Sequence, residues 1–303
     1  MLELINKYIK TIENENTKKN YRSDLEYYHR YLLKEYGGSS LDILKKLKPS
    51  DVDIYKIHLT QKGYGAASVN RMIYAVGWLY KKLMGDDILT KDITENYKKK
   101  VVNNKFDVYL TEEEVQKLMT YIENLKHIKQ KEKTFEFIKL RDLLFFRIAF
   151  STALRFSEIC NIEINDVTID NYIKIYGTKN GKDHIVPINE KVMETWEKYL
   201  KERAKINPNH DYLFITTKGD HFKRNDLMNK KMKEYCTACG IEKDGEITIH
   251  KTRHTAAHVM AKNNVSLVKI QEMLNHNTIR TTMRYVHVGK EDLKEVQEKC
   301  LNF

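Results

Sequence analysis

His250-Lys-Thr-Arg253-His254-Thr255 sets two imidazoles and a guanidinium on what reads as one helix, and the meaning of that stretch decides the rest of the chain. His250, His254 and His258 recur every four residues, a spacing that can hold a metal ion on one helix face. No His-Glu-x-x-His sequence is present and no third ligand with an acidic partner accompanies them, so no metal is expected on these histidines.

Working outward, four more fragments carry related chemistry. Upstream lie Ala153-Leu-Arg155-Phe-Ser157-Glu158 and Lys179 within the turn Gly177-Thr-Lys-Asn-Gly-Lys-Asp183. Downstream lie Leu274-Asn-His276 and Thr281-Thr-Met-Arg-Tyr285-Val-His287. In this order and at these separations the five fragments resemble the catalytic domain of the tyrosine recombinase, or lambda-integrase-like, family, over about Leu110 to Lys299. The family pattern is Arg-x-Ser-Glu, a Lys in a β-hairpin, His-x-x-Arg-His, Leu-Gly-His, and a Tyr soon after. Here Thr252 stands where Leu is usual, Asn275 replaces the Gly before His276, and the hairpin offers both Lys179 and Lys182. Lys179 is preferred because it follows the first strand almost directly, as the family lysine does.

The resemblance implies a set of roles, and the chemistry explains why such groups belong together. A phosphodiester under attack by an oxygen nucleophile gains charge on its non-bridging oxygens, which guanidinium groups bind bidentately while staying protonated. By resemblance that task falls to Arg155 and Arg253, with His276 donating a further hydrogen bond to the phosphate. Lys179 would protonate the leaving 5′ oxygen, Tyr285 would be the nucleophile, and His250 would assist removal of its proton. Glu158 would orient its neighbours by hydrogen bonding. A 3′-phosphotyrosine keeps the energy of the broken bond, so rejoining requires neither ATP nor a cofactor.

Toward the amino terminus the chain reads as helical. From Thr17 the apolar positions Tyr21, Leu25, Tyr28 and Leu32 recur at helical spacing, with Lys18, Lys19, Arg22 and Arg30 between them. Pro49-Ser50-Asp51 opens a helix expected to run to about Gln61, with the Ser or Asp oxygen as its cap. A further start at Ser68 leads into Val69, Met72, Ile73, Val76, Leu79, Tyr80 and Leu83. Residues 1–97 therefore read as a small all-helical domain, resembling the family's SAM-like core-binding domain, whose Lys18, Lys19, Arg22 and Arg71 are candidates for gripping DNA phosphates. Residues 98–108 read as a flexible basic linker, beginning in Tyr97-Lys-Lys-Lys.

Residues 109–303 read as a second domain, mainly α with a small β-sheet. Thr111 and Glu114 have capping-box spacing, and a strongly apolar helix is predicted from about Ile138 to Cys160. Tyr172–Tyr176 and His184–Ile188 read as strands joined by the Gly177–Asp183 turn, with Tyr212-Leu-Phe-Ile215 as a third. Cys236-Thr-Ala-Cys239 lacks the second pair of a zinc site and reads as two buried thiols on one helix face. Together the two domains imply, by resemblance, a C-shaped clamp around DNA.

Composition agrees with this picture. The 303 residues are 41% hydrophobic and 31% charged, as in ordinary folded domains, and the four cysteines are too scattered for a disulfide framework. No signal peptide or membrane span is legible, which points to the cytoplasm. A net charge of +11 and a pI near 9.2 favour a polyanionic partner. The partners that the family resemblance implies are double-stranded DNA carrying a specific recombination site and three further protomers, as a homotetramer or with a second recombinase. The chain is expected to begin at the core-binding domain, without the arm-binding domain of many phage integrases, and Tyr285-Val-His-Val-Gly-Lys-Glu-Asp-Leu-Lys resembles the tail of the compact Xer type. Leu293, Val296 and Cys300 make an apolar stripe there which, in the family, docks on a neighbouring protomer. The alternatives are a type IB topoisomerase-like or telomere-resolving strand transferase, and a DNA-binding regulator with an inert site.

Overall fold

The computed structural model describes residues 1–101, 108–126, 132–177 and 183–285, and divides into two compact units, Met1–Lys105 and Phe106–Phe303.

Among the described residues the first unit holds five helices: α1 (Leu2–Ile9), α2 (Glu15–Tyr36), α3 (Leu41–Lys46), α4 (Pro49–Gln61) and α5 (Ala66–Gly85). Asn14 caps α2 by accepting the Thr17 amide at 3.0 Å, and Gly37 ends it at φ +69°. The periodic apolar residues do face inward: Leu25, Tyr28 and Leu32 of α2 join Val69, Met72, Ile73, Val76, Leu79, Tyr80 and Leu83 of α5 in one core. Pro49 opens α4, and of the two expected oxygens it is that of Asp51 that serves as the cap, accepting the Lys48 amide at 2.6 Å. One start differs from expectation. α5 begins at Ala66 behind Gly65, so Ser68 lies inside the first turn instead of capping it.

The expected flexible stretch also starts later than its composition suggests. Buried Asn70 of α5 donates to the Lys100 carbonyl at 3.0 Å and accepts from the Lys100 amide at 2.9 Å and the Tyr97 hydroxyl at 2.7 Å. Lys100 Nζ also donates to the Thr60 hydroxyl, so Tyr97 to Lys100 is fastened to the first unit.

The second unit is built on α7 (Glu132–Thr152), against which α6 (Glu112–Glu123), α9 (Glu190–Ala204) and α11 (His250–Lys262) pack. Thr111 and Glu114 form the reciprocal cap of α6 as their spacing implies. α10 (Asn225–Ala238) is tied to α7 by a buried triad: Asp142 accepts from Arg141 at 2.8 Å and from the Tyr235 hydroxyl at 2.9 Å. Cys236 on α10 and Cys239 just beyond it are both buried.

The helix expected from Ile138 to Cys160 is two helices. α7 stops at Thr152, Ala153 adopts φ +56°, and α8 (Phe156–Cys160) restarts after Arg155. The apolar run hides this break because nothing in it is Gly or Pro; the left-handed alanine is held by tertiary contacts. β1 (Tyr172–Ile175) and β2 (His184–Pro187) pair antiparallel, with Ile175 opposite His184. Tyr212–Ile215 is no third strand of this sheet. Tyr212 bridges Glu163 and Ile215 bridges His221, isolated contacts without a ladder. Two short helices, α12 (Leu267–Met273) and α13 (Ile279–Thr282), lead to a single 3-10 turn, Met283–Tyr285. The described residues are mainly α with one two-stranded sheet.

Candidate active site

The break after α7 is what presents Arg155. Its backbone amide donates to one Glu158 oxygen at 2.7 Å and its guanidinium to the other at 2.7 Å, so Glu158 fixes both ends of the residue. The arginine side chain remains 29% exposed, leaving donors for a ligand, while the carboxylate is mostly buried.

Arg253, on the first turns of α11, is buried and held by backbone. Its guanidinium donates to the Ala153 carbonyl at 2.9 Å and to the Leu274 carbonyl. Arg155 donates to the adjacent Asn275 carbonyl at 3.4 Å. The turn after α12 thus receives both arginines on neighbouring carbonyls. Asn275 takes φ +45° there, which explains the residue type: Gly is at ease in that region, and Asn is among the few others that enter it. Burial, reinforced by the Arg155 charge, pushes the Arg253 pKa down to about 10. That is still about 3 pH units above neutrality, so Arg253 remains a cation at pH 7.

His276 follows this turn and bonds through Nδ1 with the Thr282 hydroxyl at 2.9 Å. Tyr285 is 4% exposed and packs in a small cluster with Ala153, Ala256, Ala257, Ile270 and Leu274. Its hydroxyl lies 3.0 Å from Nδ1 of His254, and its ring meets those of His254 and His258 edge to face. His250 is exposed at the start of α11, with its ring 5.0 Å from that of His254. His258 stacks on Tyr109 at 3.9 Å. Arg155, Arg253, His250, His276 and Tyr285 are therefore gathered at one place. Lys179 and Lys182 lie outside the described residues, as do Leu293, Val296 and Cys300.

Two further side chains join this site. His254 belongs to the quoted motif and stands one helical turn from His250, so its signal was present without a role attached. His184, the first residue of β2, hydrogen-bonds to the Met273 backbone and feels Glu158, Arg253 and Arg155, and burial is the main cause that lowers its pKa. Only the hairpin register and the α12 packing bring it there, and neither is legible locally.

In the first unit Lys19 and Arg22 are exposed on α2, whereas Lys18 pairs with Glu15 at 2.8 Å. Arg71 is gripped by buried Asp24, whose carboxyl burial pushes upward against the pull of that arginine. Among the described residues no helix is long and apolar enough to cross a membrane.

Known proteins are similar to this chain in sequence and in fold. Residues 108–292 match the phage integrase family, and residues 5–86 match the phage integrase N-terminal SAM-like domain. The chain is 31% identical over 292 residues to tyrosine recombinase XerC of Staphylococcus saprophyticus, covering 93% of this chain and 90% of that one. It is 29% identical over 305 residues to tyrosine recombinase XerA of Pyrococcus horikoshii, covering 98% and 93%. Among solved structures, XerH recombinase bound to difH substrate superposes with a TM-score of 0.75 at 23% identity, over 93% of this chain and 79% of that one. The Tn1549 transposon integrase in complex with circular intermediate DNA gives 0.75 at 20% identity, over 98% and 99%. With both regions matched and a relative above 30% identity along almost its whole length, this chain belongs to the phage integrase family of tyrosine recombinases.

Proposed function

We propose that the chain is a site-specific recombinase that cuts and rejoins double-stranded DNA through a 3′-phosphotyrosyl link at Tyr285. The observation that carries this reading is the convergence of Arg155 and Arg253 on the adjacent Leu274 and Asn275 carbonyls, beside the cluster that holds Tyr285. Two guanidiniums and a phenol brought together from distant parts of the chain are what in-line attack on a phosphodiester requires.

In this reading Arg155 and Arg253 hold the non-bridging oxygens of the scissile phosphate, and His276 adds a donor. Tyr285 Oη forms a bond to phosphorus as the bond to the 5′ oxygen breaks, and Lys179 protonates that oxygen. A 5′ hydroxyl from a second strand then reverses the step, releasing the tyrosine and conserving the bond. Lys19 and Arg22 of the first unit, with Lys18 and Arg71, supply sequence-independent phosphate contacts. The residues from 286 onward, with their Leu293, Val296 and Cys300 stripe, would join protomers into a tetramer on two DNA sites, of one chain or with a second recombinase. Such a protein works in the cytoplasm, where its DNA is. The supporting relatives are named as Xer recombinases, and a structural neighbour is bound to its recombination substrate.

The test is to trap genomic fragments covalently on the protein, with EDTA present, and sequence them. Fragments sharing one motif support site-specific exchange, at a chromosomal or plasmid locus for dimer resolution or at element ends for integration and excision. A random sample of the genome, together with relaxation of any supercoiled plasmid, would instead favour a topoisomerase.

A further inference from the structure

A phenol that attacks phosphorus must give up its proton, and with a reference pKa of about 10 only about one in a thousand tyrosines is ionised at pH 7. A base within hydrogen-bond reach contributes about 10²- to 10⁴-fold. The sequence motif gives that task to His250. The geometry points to its neighbour one helical turn on: Nδ1 of His254 is 3.0 Å from Tyr285 Oη, and both side chains are buried, at 6% and 4% exposure.

We propose that His254 accepts the Tyr285 proton during attack, an assignment that rests on Tyr285 being the nucleophile. For Nδ1 to accept, the ring hydrogen must sit on Nε2, one of the two tautomers that the 3.0 Å contact allows. The Oη–H bond breaks toward Nδ1 as Oη bonds to phosphorus, and the bond from phosphorus to the 5′ oxygen breaks with that oxygen taking a proton from the hairpin lysine. In rejoining, Nδ1 returns the proton to Oη. The surroundings suit the exchange. His250 and Arg253 flank His254 on α11, His258 faces the phenol ring from the next turn, and Arg155 with Glu158 approaches from the α7–α8 break. The Arg253 cation lies near enough to the phenol to feel its charge, and a cation there favours the phenolate being formed.

The experiment is single-turnover cleavage of a nicked duplex whose scissile phosphate carries either the natural 5′ oxygen or a 5′ bridging sulfur, which departs without needing a proton. His254→Gln keeps an acceptor oxygen beside the phenol but cannot take a proton. At pH 7 it is expected to cleave about 10²-fold more slowly on both substrates. Its rate should then climb about tenfold per pH unit toward pH 9 to 10, where the phenol ionises unaided. A misfolded protein would not recover in this way, so a loss that stays flat to high pH counts against the assignment. So do a rate within a few-fold of wild type, and rescue by the sulfur substrate, which would place His254 on the leaving-group side. If Tyr285→Phe still forms the covalent adduct, the failure lies with the nucleophile reading instead.

Discussion

Asn275 offers its carbonyl to Arg155 from a left-handed backbone, φ +45°, while the Leu274 carbonyl beside it receives Arg253. One turn therefore sets the spacing of two guanidiniums that come from helices far apart in sequence. Buried Ala153 does the same from the other side, ending α7 at φ +56° and giving its carbonyl to Arg253.

Substitutions at Asn275 should follow backbone tolerance and not side-chain chemistry. Asn275→Gly should keep cleavage within about threefold of wild type, whereas Asn275→Val, strained by about 1–2 kcal/mol in that conformation, should lose at least about tenfold. Rates of covalent adduct formation on a nicked substrate decide it. Equal rates for the two variants would show that the turn does not set the arginines.

Arg253→Lys keeps the charge but cannot reach the Ala153 and Leu274 carbonyls and a phosphate at once. Loss of one such donor array typically costs about 10²- to 10³-fold in the chemical step. Affinity for the DNA site, measured by gel shift at fixed salt, should change by less than about tenfold, because phosphate contacts elsewhere carry much of the binding.

Acid should destabilise the fold. His29, His58, His184 and His221 are all held below the ordinary imidazole value, with burial the first cause in each. Below about pH 6.5 the unfolded chain takes up protons that these native imidazoles refuse. Their contribution to stability is therefore full above that pH and declines as pH falls through the lowered native values. Melting temperature should drop between about pH 7 and 5, and replacing His184 and His221 by Gln should flatten the drop. An unchanged slope in the double variant would contradict the assignment.

Asn70 makes three hydrogen bonds to Tyr97 and Lys100 from a nearly buried position. Asn70→Ala should destabilise the first unit by about 1–3 kcal/mol through the polar groups it leaves unpaired. It should also speed tryptic cleavage after Lys98 to Lys100, measured by limited proteolysis under native conditions. Unaltered cleavage would mean that these lysines are accessible in any case.

Much of this was legible in sequence because it depends on local periodicity and capping. The α2 and α5 faces, the start and end of α4, the Thr111–Glu114 cap and the β1–β2 pair all follow from local residue patterns. The break at Ala153 was not legible, since alanine is the strongest helix former and the group that uses its carbonyl in the broken form, Arg253, lies 100 residues away. Tyr212–Ile215 has strand composition but finds only single bridging partners. For the site, order and residue type pointed to Arg155, Arg253, His250, His276 and Tyr285 as candidates, and the fold brings these five together. Order and type could not show that His254 holds the phenol or that His184 reaches the arginines, because both depend on how helices and hairpin pack.

The central claim is most directly tested by locating the covalent bond. A nicked suicide duplex carrying the trapped site is incubated with the protein in EDTA, digested, and the nucleotide-bearing peptide sequenced by mass spectrometry. The account predicts a 3′-phosphate ester on Tyr285 with a free 5′ hydroxyl on the departing strand, and no adduct from Tyr285→Phe. An adduct on another residue, or a 5′-phosphate linkage, would contradict it.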